Sequence, residues 1–372
     1  MSLKVAEVRG IQIHLHYSWF IIFTLITWSL AVGYLPNQYP NQSNAFYWAV
    51  GVAASASLFL SVLAHEFAHS IVASRGGLDV RRITLHFFGG VAEVGAEARS
   101  PDMELRMASA GPLSSLALGL LLAAGWLLAA AGSLPLGVVA ALRYASYINL
   151  VLAAFNMIPA FPMDGGRVLR ALLWRRWGDL LSSTRTATRV SQFFSYTLIF
   201  FGLGDIMFYS AFNGLWLLML GIFVKRSADA SMNAALIGEA LEGVKVGDVM
   251  TEELHTVEPE LSLQRLVDEF FLRYKHGGFP VVSQGRLVGM VTEHDLRQVR
   301  REQWGELTVG DIMKPSGELI TVAPEDTASD ALLKMSEGEV GRLPVMEGGR
   351  LVGIITRSDI TKAIRIRIQF TS

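Results

Sequence analysis

Residues 65–69 read HEFAH and lie near the end of an apolar run over residues 45–73. A run of this length predicts a membrane-spanning helix, because about 20 apolar residues cross the hydrocarbon core of a bilayer. The 3.6-residue helical period stacks the imidazoles of His65 and His69 on one face and places Glu66 on an adjacent face. Both histidines are therefore candidate ligands of one metal ion, and Glu66 is a candidate base that accepts a proton from water.

The pattern H-E-x-x-H also arises by chance on solvent-exposed helices, where it carries no function. In this chain the three polar residues interrupt an apolar span. An ionisable side chain at that depth costs about 2.5 to 3.5 kcal/mol on membrane-insertion scales, and such residues are retained there for function. The context therefore favours a metal site over a chance match.

A catalytic zinc site takes three protein ligands and keeps a fourth position for water. The chain contains no cysteine, so the third ligand has to be a histidine, an aspartate or a glutamate. The best candidate is Asp164, in the stretch NMIPAFPMDGG at residues 156–166, where two prolines break an apolar run. Irregular backbone at membrane depth occurs beside protein or a water-filled cavity, and a metal ion that activates water inside a bilayer requires such a cavity. The alternatives are an N-cap role for Asp164 and ligation by His86 or Glu93.

The composition of the whole chain indicates a membrane protein. The mean hydropathy is +0.38, and no A-x-A cleavage pattern follows the first apolar run, so we expect that run to be retained as a helix. The chain has 32 lysines and arginines and 33 aspartates and glutamates, which gives no electrostatic reason to expect a nucleic-acid partner. The predicted membrane spans cover residues 17–32, 45–73, 107–131, 136–158, 190–204 and 206–224.

The loops between these spans alternate in charge as the positive-inside rule requires. Segments 35–44, 132–135 and 205–214 contain no lysine or arginine, whereas the loops on the opposite side are rich in arginine. We therefore predict a multi-pass protein of the cell membrane, with its N-terminus and its C-terminal half in the cytoplasm. The pattern leaves open whether Asp205 or the turn Phe212-Asn213-Gly214 separates the last two spans.

After Arg226 the composition changes to that of a soluble α/β domain with short Val/Ile strands and charged helices. This half repeats itself, because VGDVM at 246–250 returns as VGDIM at 309–313 and GMVT at 289–292 returns as GIIT at 353–356. Such a repeat indicates two copies of one unit that pack as a pair. The predicted boundaries are 1–226 for the membrane domain, 227–243 for a linker, and 244–305 and 306–372 for the repeats.

Each repeat also has a strand followed by Thr-x-x-Asp at the start of a helix. The pairs are Thr292 with Asp295 and Thr356 with Asp359. One interpretation is a capping box, in which the hydroxyl and the carboxylate bind amides at the helix start. The other interpretation is a ligand site between the repeats.

Taken together, these motifs resemble the site-2 protease family of intramembrane zinc metalloproteases, in the prokaryotic branch that carries a C-terminal pair of CBS domains. The resemblance covers nearly the whole chain and rests on HEFAH, on the 156–166 stretch and on the doubled C-terminal unit. It implies a polytopic α-helical membrane domain of about six transmembrane helices with short membrane-surface β-strands, followed by an α/β tandem CBS domain. Met163 stands where leucine is more usual in the family, a swap that conserves shape.

The resemblance implies that Asp164 completes a site for one catalytic Zn²⁺ with His65 and His69, and that Glu66 is the catalytic base. It also implies that the side-chain amide of Asn156 contacts the substrate or the developing oxyanion. A helix-packing hydrogen bond is the alternative for Asn156. The implied substrates are membrane-anchored proteins cut within or near their transmembrane segments, in regulated intramembrane proteolysis.

Two further expectations follow from the resemblance, and a third follows from the sequence itself. Segment 83–94, with Phe87 and Phe88, is expected to form two short strands whose edge holds the substrate extended, with pure packing as the alternative. Independently of the resemblance, the stretch GPLSS at 111–115 and Gly119 are expected to serve close helix packing rather than chemistry. The CBS pair is expected to support a homodimer.

In CBS domains the threonine of Thr-x-x-Asp contacts a phosphate and the aspartate contacts the ribose hydroxyls of an adenine nucleotide. The resemblance therefore implies sensing of ATP, ADP or AMP at Thr292 and Asp295 or at Thr356 and Asp359. A competing function is that of a CBS-regulated divalent ion transporter or channel, in which the membrane histidines and carboxylates form an ion pathway. Two imidazoles with a glutamate between them favour hydrolysis.

Overall fold

The computed structural model describes residues 2–86, 89–94, 98 and 100–371. The chain divides into two compact units, Met1–Ala235 and Leu236–Ser372. The division falls inside the segment 227–243, predicted as a linker, which is helical as far as Leu241. Long helices in the first unit, followed by small sheets and short helices in the second, confirm the predicted fold class.

The first unit contains long helices and one sheet. Its elements are β1 (Ser2–Val8), β2 (Ile11–His16), α1 (Ser18–Ser29), α2 (Leu35–Gln38), α3 (Asn44–Arg75), β3 (Val80–His86), β4 (Gly89–Val94), α4 (Pro101–Ala131), α5 (Leu136–Asn156), α6 (Asp164–Trp177), α7 (Leu180–Phe208) and α8 (Ala211–Leu241). A π-helical turn, Leu30–Tyr34, joins α1 to α2.

Five helices among the described residues are long and apolar enough to cross a membrane. They are Ser18–Gln38, which combines α1 and α2, and then α3, α4, α5 and α7. These helices coincide with the first five predicted spans. The sixth predicted span, at 206–224, falls on the end of α7 and the first half of α8, and it stays a prediction.

The boundary between α7 and α8 lies between the two alternatives that the sequence left open. The backbone amides of Tyr209 and Ser210 both donate to the carbonyl oxygen of Asp205, at 3.0 and 2.8 Å, and end α7 there. Asp205 itself is helical, and Phe212-Asn213-Gly214 belongs to α8. A charged side chain and an Asn-Gly pair were therefore misleading boundary signals.

The four strands form one sheet in the order β1-β2-β3-β4. β2 runs parallel to β3, whereas β1–β2 and β3–β4 are antiparallel pairs, which leaves β4 at one edge of the sheet. The strand pair expected at 83–94 is present, although β3 begins earlier, and Phe87 and Phe88 lie outside the described residues. We did not predict β1 or β2, although residues 11–16 alternate apolar and polar side chains as a strand does.

A small apolar core packs this sheet against α3 and α4. Ile11 of β2 and Ile83 of β3 are buried together with Ala73 at the end of α3 and Met107 of α4. Ser43 caps the start of α3, because its hydroxyl oxygen accepts a hydrogen bond from the amide of Phe46. The HEFAH segment therefore lies near the end of a capped helix that packs against the sheet.

The second unit contains two small sheets with short helices. Its elements are α9 (Val246–Val249), α10 (Leu263–Arg265), α11 (Leu272–Tyr274), β5 (Gly278–Ser283), β6 (Arg286–Thr292), α12 (Glu293–Arg297), α13 (Val309–Ile312), β7 (Lys314–Pro315), α14 (Ala328–Glu337), β8 (Arg342–Glu347), β9 (Arg350–Thr356) and α15 (Arg357–Thr371). A π-helical segment, Leu266–Phe271, lies between α10 and α11. The sheets have the orders β5-β6-β7 and β8-β9.

The two repeats exchange their first helices. Val246, at the start of the first repeat, is buried in a core with Val345 and Ile355 of the second repeat. Val309, at the start of the second repeat, is buried with Val281 of the first. Each core therefore contains residues from both repeats, and neither repeat completes its core alone.

Glycines allow α7 and α8 to pack at close range. A Cβ atom at Gly214 would lie 2.5 Å from the carbonyl oxygen of Gly202, and one at Gly202 would lie 2.9 Å from the carbonyl oxygen of Gly214. Real side chains do not approach backbone so closely, so the contact requires both glycines.

We expect Gly214→Val to destabilise the first unit, because overpacking against backbone costs about 1–3 kcal/mol. The midpoint of thermal unfolding in detergent should fall by roughly 4–8 °C for a loss of about 2 kcal/mol in a unit of this size. Gly204→Val is the matched control, since a Cβ atom at Gly204 meets nothing within 4 Å. Equal midpoints for the two variants would contradict the close α7–α8 contact.

Candidate active site

Three of the sequence-predicted site residues converge inside the helical bundle. His65 and His69 lie one turn apart on α3, and Asp164 is the first residue of α6. The Oδ2 atom of Asp164 lies 3.0 Å from Nε2 of His65 and 3.1 Å from Nε2 of His69. All three side chains are buried, and their ligand atoms lie within 4.8 Å of one another. We call these three residues the histidine–aspartate cluster.

The outer nitrogen of each imidazole is held by α4. The Nδ1 atom of His65 lies 2.9 Å from the hydroxyl oxygen of Ser115, and Nδ1 of His69 lies 2.7 Å from the carbonyl oxygen of Met107. A partner at Nδ1 fixes the ring orientation and leaves Nε2 as the ligand atom. The stretch 111–115 was expected to serve helix packing alone, but its Ser115 also orients His65.

Gly111 leaves the space that both imidazoles occupy. A Cβ atom built on Gly111 would overlap Nε2 of His69 and would lie 2.5 Å from Nε2 of His65. Gly111 is itself buried in α4. No sequence motif predicted this contact, because it depends on how α4 crosses α3.

Glu66 lies beside the cluster, on the side of α3 that faces the sheet. Its side chain is half-buried, and a Cβ atom at Gly90 of β4 would overlap its Cγ and lie 3.1 Å from its Cδ. The edge strand therefore passes directly over the glutamate. This arrangement puts a carboxylate, two imidazoles and a strand edge in one place.

The turn before α6 holds Asp164 rigidly. A Cβ atom at Gly165 would lie 2.5 Å from the carbonyl carbon of Met157, and the amide of Phe161 donates to the hydroxyl oxygen of Ser191 at 2.8 Å. Phe161 and Pro162 are joined by a cis peptide bond. The glycines that follow the carboxylate are thus required by close backbone contacts.

A buried ion pair fixes the next turn of α6. Glu104 of α4 is 1% exposed, and its carboxylate accepts two hydrogen bonds from Arg170, one of them from Nε at 2.8 Å. The guanidinium of Arg170 also lies 5.8 Å from the centre of the Phe161 ring. This pair ties α6 to α4, the helix that orients both histidines.

Asn156 does not join the histidine–aspartate cluster through any recorded contact of the described residues. Its side-chain amide donates to the carbonyl oxygen of Leu152 on its own helix at 3.0 Å. A different asparagine, Asn149, is fully buried and donates to the hydroxyl oxygen of Ser61 at 2.8 Å, one turn before His65. The signal in the sequence for Asn149 is an amide side chain inside the apolar span 136–158.

Of the two rival ligands expected from the sequence, His86 lies away from the cluster. His86 ends β3, and its ring centre is 5.0 Å from that of His16, outside the histidine–aspartate cluster. Glu93 pairs with Arg82 through the backbone of β3 and β4, and its side chain lies outside the described residues.

Comparison with known sequences assigns the two halves of the chain to different families. Residues 53–132 and 127–201 match the profile of Peptidase family M50, and residues 246–302 and 309–366 match the CBS domain. The zinc metalloprotease MJ0392 of Methanocaldococcus jannaschii is 33% identical over 368 residues, which cover 98% of this chain and 96% of that protein. Rip3 of Mycobacterium tuberculosis is 33% identical over 367 residues, which cover 98% of this chain and 93% of that protein.

The chain belongs to the site-2 protease family of zinc metalloproteases. This site-2 protease is a membrane protein with a CBS pair after its protease domain. Among solved structures, the site-2 protease from Methanocaldococcus jannaschii is 30% identical and covers 62% of this chain and 95% of its own, with a TM-score of 0.42. The similarity to both relatives extends through the CBS pair as well as the protease domain.

The CBS half of this site-2 protease contains a cleft of about 450 Å³ beside the first Thr-x-x-Asp pair. Both pairs form capping boxes, in which the carboxylate accepts bonds from the amide and hydroxyl of its threonine. The charged and polar residues that line the cleft are Thr292, His294, Asp295, Lys314, Glu339 and Arg342. Burial lowers the pKa of the Arg342 guanidinium, which donates to the carbonyl oxygen of Gly278 at 3.0 Å.

The cations are placed differently in the two repeats. Counted from the repeated motifs, Gly278 stands where the other repeat has Arg342, and Thr251 stands where it has Lys314. Lys275 stands where the other repeat has Glu339. The two Thr-x-x-Asp pairs are thus alike as helix caps but differ in the charges around them.

We expect Gly111→Ala to reduce proteolysis by at least about 100-fold, because a misplacement of about 1 Å at an active site costs that much. The added methyl group occupies the position of the two Nε2 atoms and forces the imidazoles to move. Gly125→Ala on the same helix is the matched control, since a Cβ atom there meets nothing within 4 Å. Full activity of Gly111→Ala, measured on a transmembrane model substrate, would refute this geometry.

Proposed function

We propose that this chain is a zinc-dependent endopeptidase that hydrolyses peptide bonds within or near the transmembrane segments of membrane-anchored substrates. The observation that carries the proposal is the meeting of His65, His69 and Asp164 at distances of 3.0 and 3.1 Å inside an apolar bundle. Three buried ionisable side chains without a metal-binding or catalytic role would be costly in such a place.

The histidine–aspartate cluster suits one Zn²⁺, because two imidazole nitrogens and one carboxylate oxygen form the three-ligand set of a catalytic zinc site. Ser115 and Met107 hold the Nδ1 atoms, so both Nε2 atoms point at the same place. When bound, zinc supplies Lewis acidity for the peptide carbonyl and lowers the pKa of water.

Glu66 is the proposed general base. It accepts a proton from the attacking water and passes it to the leaving amine nitrogen, while the water oxygen becomes part of the new carboxyl group. Glu66 makes none of the contacts within the cluster, so its carboxylate remains available for proton transfer. Gly90 gives it room beside β4.

Asn156 is proposed to contact the substrate carbonyl or the developing oxyanion. A side-chain amide has two N–H hydrogens, and only one is needed for the bond to Leu152. The second hydrogen is the proposed donor to substrate. A single oxyanion donor is worth about 100- to 1000-fold in rate in a protease.

β4 is the proposed docking strand for the substrate. A helix has no accessible peptide bond, so a transmembrane segment has to unwind before it is cut, and an edge strand can take up its backbone hydrogen bonds. β4 pairs with β3 on one side only and passes over Glu66. A substrate extended along β4 would therefore pass the proposed base.

The proposed setting is a cell membrane crossed several times, with the N-terminus and the CBS pair in the cytoplasm. The arginine-rich loops support this orientation. A homodimer through the CBS pair is the proposed assembly.

We expect Glu66→Gln to lower cleavage of a transmembrane model substrate by at least about 100-fold, because general base catalysis contributes that much. The variant should retain one zinc per chain, whereas His65→Ala and Asp164→Ala should lose the metal. Metal content by mass spectrometry and substrate cleavage in liposomes check both outcomes. Glu239→Gln, an exposed residue of α8, is the matched control.

Two results would overturn the proposal. The first is a parent protein without stoichiometric zinc, and the second is a Glu66→Gln variant that still cleaves. Divalent-ion flux in vesicles that Glu66→Gln leaves unaltered would instead favour the ion transporter.

We further propose that the CBS pair binds an adenine nucleotide in the cleft beside Thr292 and Asp295 and regulates the protease. Lys314 and Arg342 line this cleft and suit the phosphate groups. Thr356 and Asp359 lack these two cations and serve as a helix cap. The ligand is ATP, ADP or AMP.

We expect Thr292→Ala to weaken nucleotide binding to the full-length protein by at least about tenfold, because a hydrogen bond to a charged group contributes about 1.5–3 kcal/mol. Thr356→Ala removes the equivalent helix cap and is the matched control, with an expected change of less than about twofold. Calorimetric titration with ATP, ADP and AMP measures the affinities. Cleavage rates that do not respond to any of the three would remove the regulatory role.

A further inference from the structure

A cleft of about 600 Å³ lies next to the proposed catalytic residues. Among the described residues, its walls come from Ala92 of β4, Met107 of α4, Phe161 and Pro162 of the turn before α6, α6 itself and α8. Met107 is the residue whose carbonyl orients His69. The cleft therefore shares Met107 and the turn before α6 with the surroundings of the histidine–aspartate cluster.

Two arginines give this cleft its charge. Arg167 and Arg170 of α6 both line it, and Glu104 is the one carboxylate within ion-pair distance of either among the described residues. Glu104 is buried and already engaged by Arg170. One positive charge in the cleft is thus left without its own counter-ion in the described part of the chain.

Among the described residues, the arginine without a counter-ion of its own is Arg167. Its Nε atom is 4.0 Å from Glu104, at the limit of an ion pair, and its side chain is 31% exposed. Arg170 is the structural arginine, because it is bonded to Glu104 and packed near the Phe161 ring. Arg167 is therefore accessible from the cleft.

Arg167 also faces the same way as the catalytic residues. It follows Asp164 by three residues on α6, so the two side chains project from one face of the helix. A group bound by Arg167 would lie within a few residues of the scissile bond.

We propose that Arg167 is a specificity-determining residue that binds an acidic side chain of the substrate close to the cleavage position. This inference rests on the proposed function, because it assumes that a polypeptide occupies the cleft. An aspartate or glutamate side chain supplies the two oxygens that a guanidinium binds in a forked pair. The partly desolvated cleft strengthens such a pair relative to one in water.

A substrate is a better occupant than a lipid headgroup. The walls of the cleft include the edge strand β4 and the turn that carries Asp164, which are the elements proposed to meet the polypeptide. A lipid phosphate is the other source of an anion, and vesicles with and without anionic lipid distinguish it. If a lipid phosphate occupies the cleft, the cleavage rate should depend on the anionic lipid content of the vesicle and not on the substrate sequence.

The test is a set of membrane-anchored model substrates that carry either aspartate or asparagine at each of three positions on both sides of the cleaved bond. We expect the parent protein to prefer aspartate at one of these positions by at least tenfold in kcat/KM. Arg167→Gln should abolish that preference by slowing only the aspartate substrate. Arg167→Glu should shift the preference to lysine at the same position.

The control variant is Arg176→Gln, an exposed arginine of the same helix, which should leave the preference unchanged. A parent protein that treats aspartate and asparagine alike at all positions would overturn the inference. So would an Arg167→Gln variant that slows both substrates by the same factor, which is the signature of a structural role.

Binding measured without cleavage separates this inference from the proposed function. Fluorescence anisotropy with labelled substrate peptides and the Glu66→Gln protein should give a tighter Kd for the aspartate peptide, and Arg167→Gln should remove the difference. Charge-selective binding with no cleavage by the parent protein would refute the proposed endopeptidase function and support the role of Arg167. Cleavage without charge-selective binding would support the endopeptidase function and refute the role of Arg167.

Discussion

Two imidazoles and one carboxylate meet inside an apolar helical bundle, and the surrounding structure is arranged around that meeting. The Oδ2 atom of Asp164 approaches the Nε2 atoms of His65 and His69 at 3.0 and 3.1 Å. Ionisable groups at this depth are costly unless each has a partner. These buried groups need hydrogen-bond partners, and that need constrains α3, α4 and α6 at the same time. α3 and α6 carry the side chains of the cluster, and α4 carries the groups that orient the two histidines.

α4 is the helix that meets most of these constraints. Ser115 and the carbonyl of Met107 hold the outer imidazole nitrogens, and Gly111 leaves room for the inner ones. Glu104, near the start of the same helix, binds Arg170 of α6. Movement of α4 would therefore disturb both histidines and the helix that carries Asp164, which is why a single methyl group at Gly111 is expected to matter.

The edge of the sheet and the charge of the cleft are the two features proposed to recognise the substrate, and they lie close together. β4 passes over Glu66 because Gly90 has no side chain, and Arg167 projects from α6 on the face of Asp164. Backbone pairing along a strand is indifferent to sequence, whereas a guanidinium selects charge. The two elements together would let one enzyme accept an unwound helix and still discriminate among substrates.

The sequence by itself determined the membrane-spanning helices, the HEFAH face, the candidacy of Asp164 and the repeat in the second half, because each depends on local periodicity, on insertion cost or on a copied motif. It did not determine the hairpin β1–β2, the α7–α8 boundary, the exchange of first helices between the repeats, or the roles of Ser115 and Gly111. Those features depend on which helices and strands become neighbours across long stretches of chain. Only the tertiary structure decides that, because a hydrogen bond or a close backbone contact exists only where two distant segments are brought together.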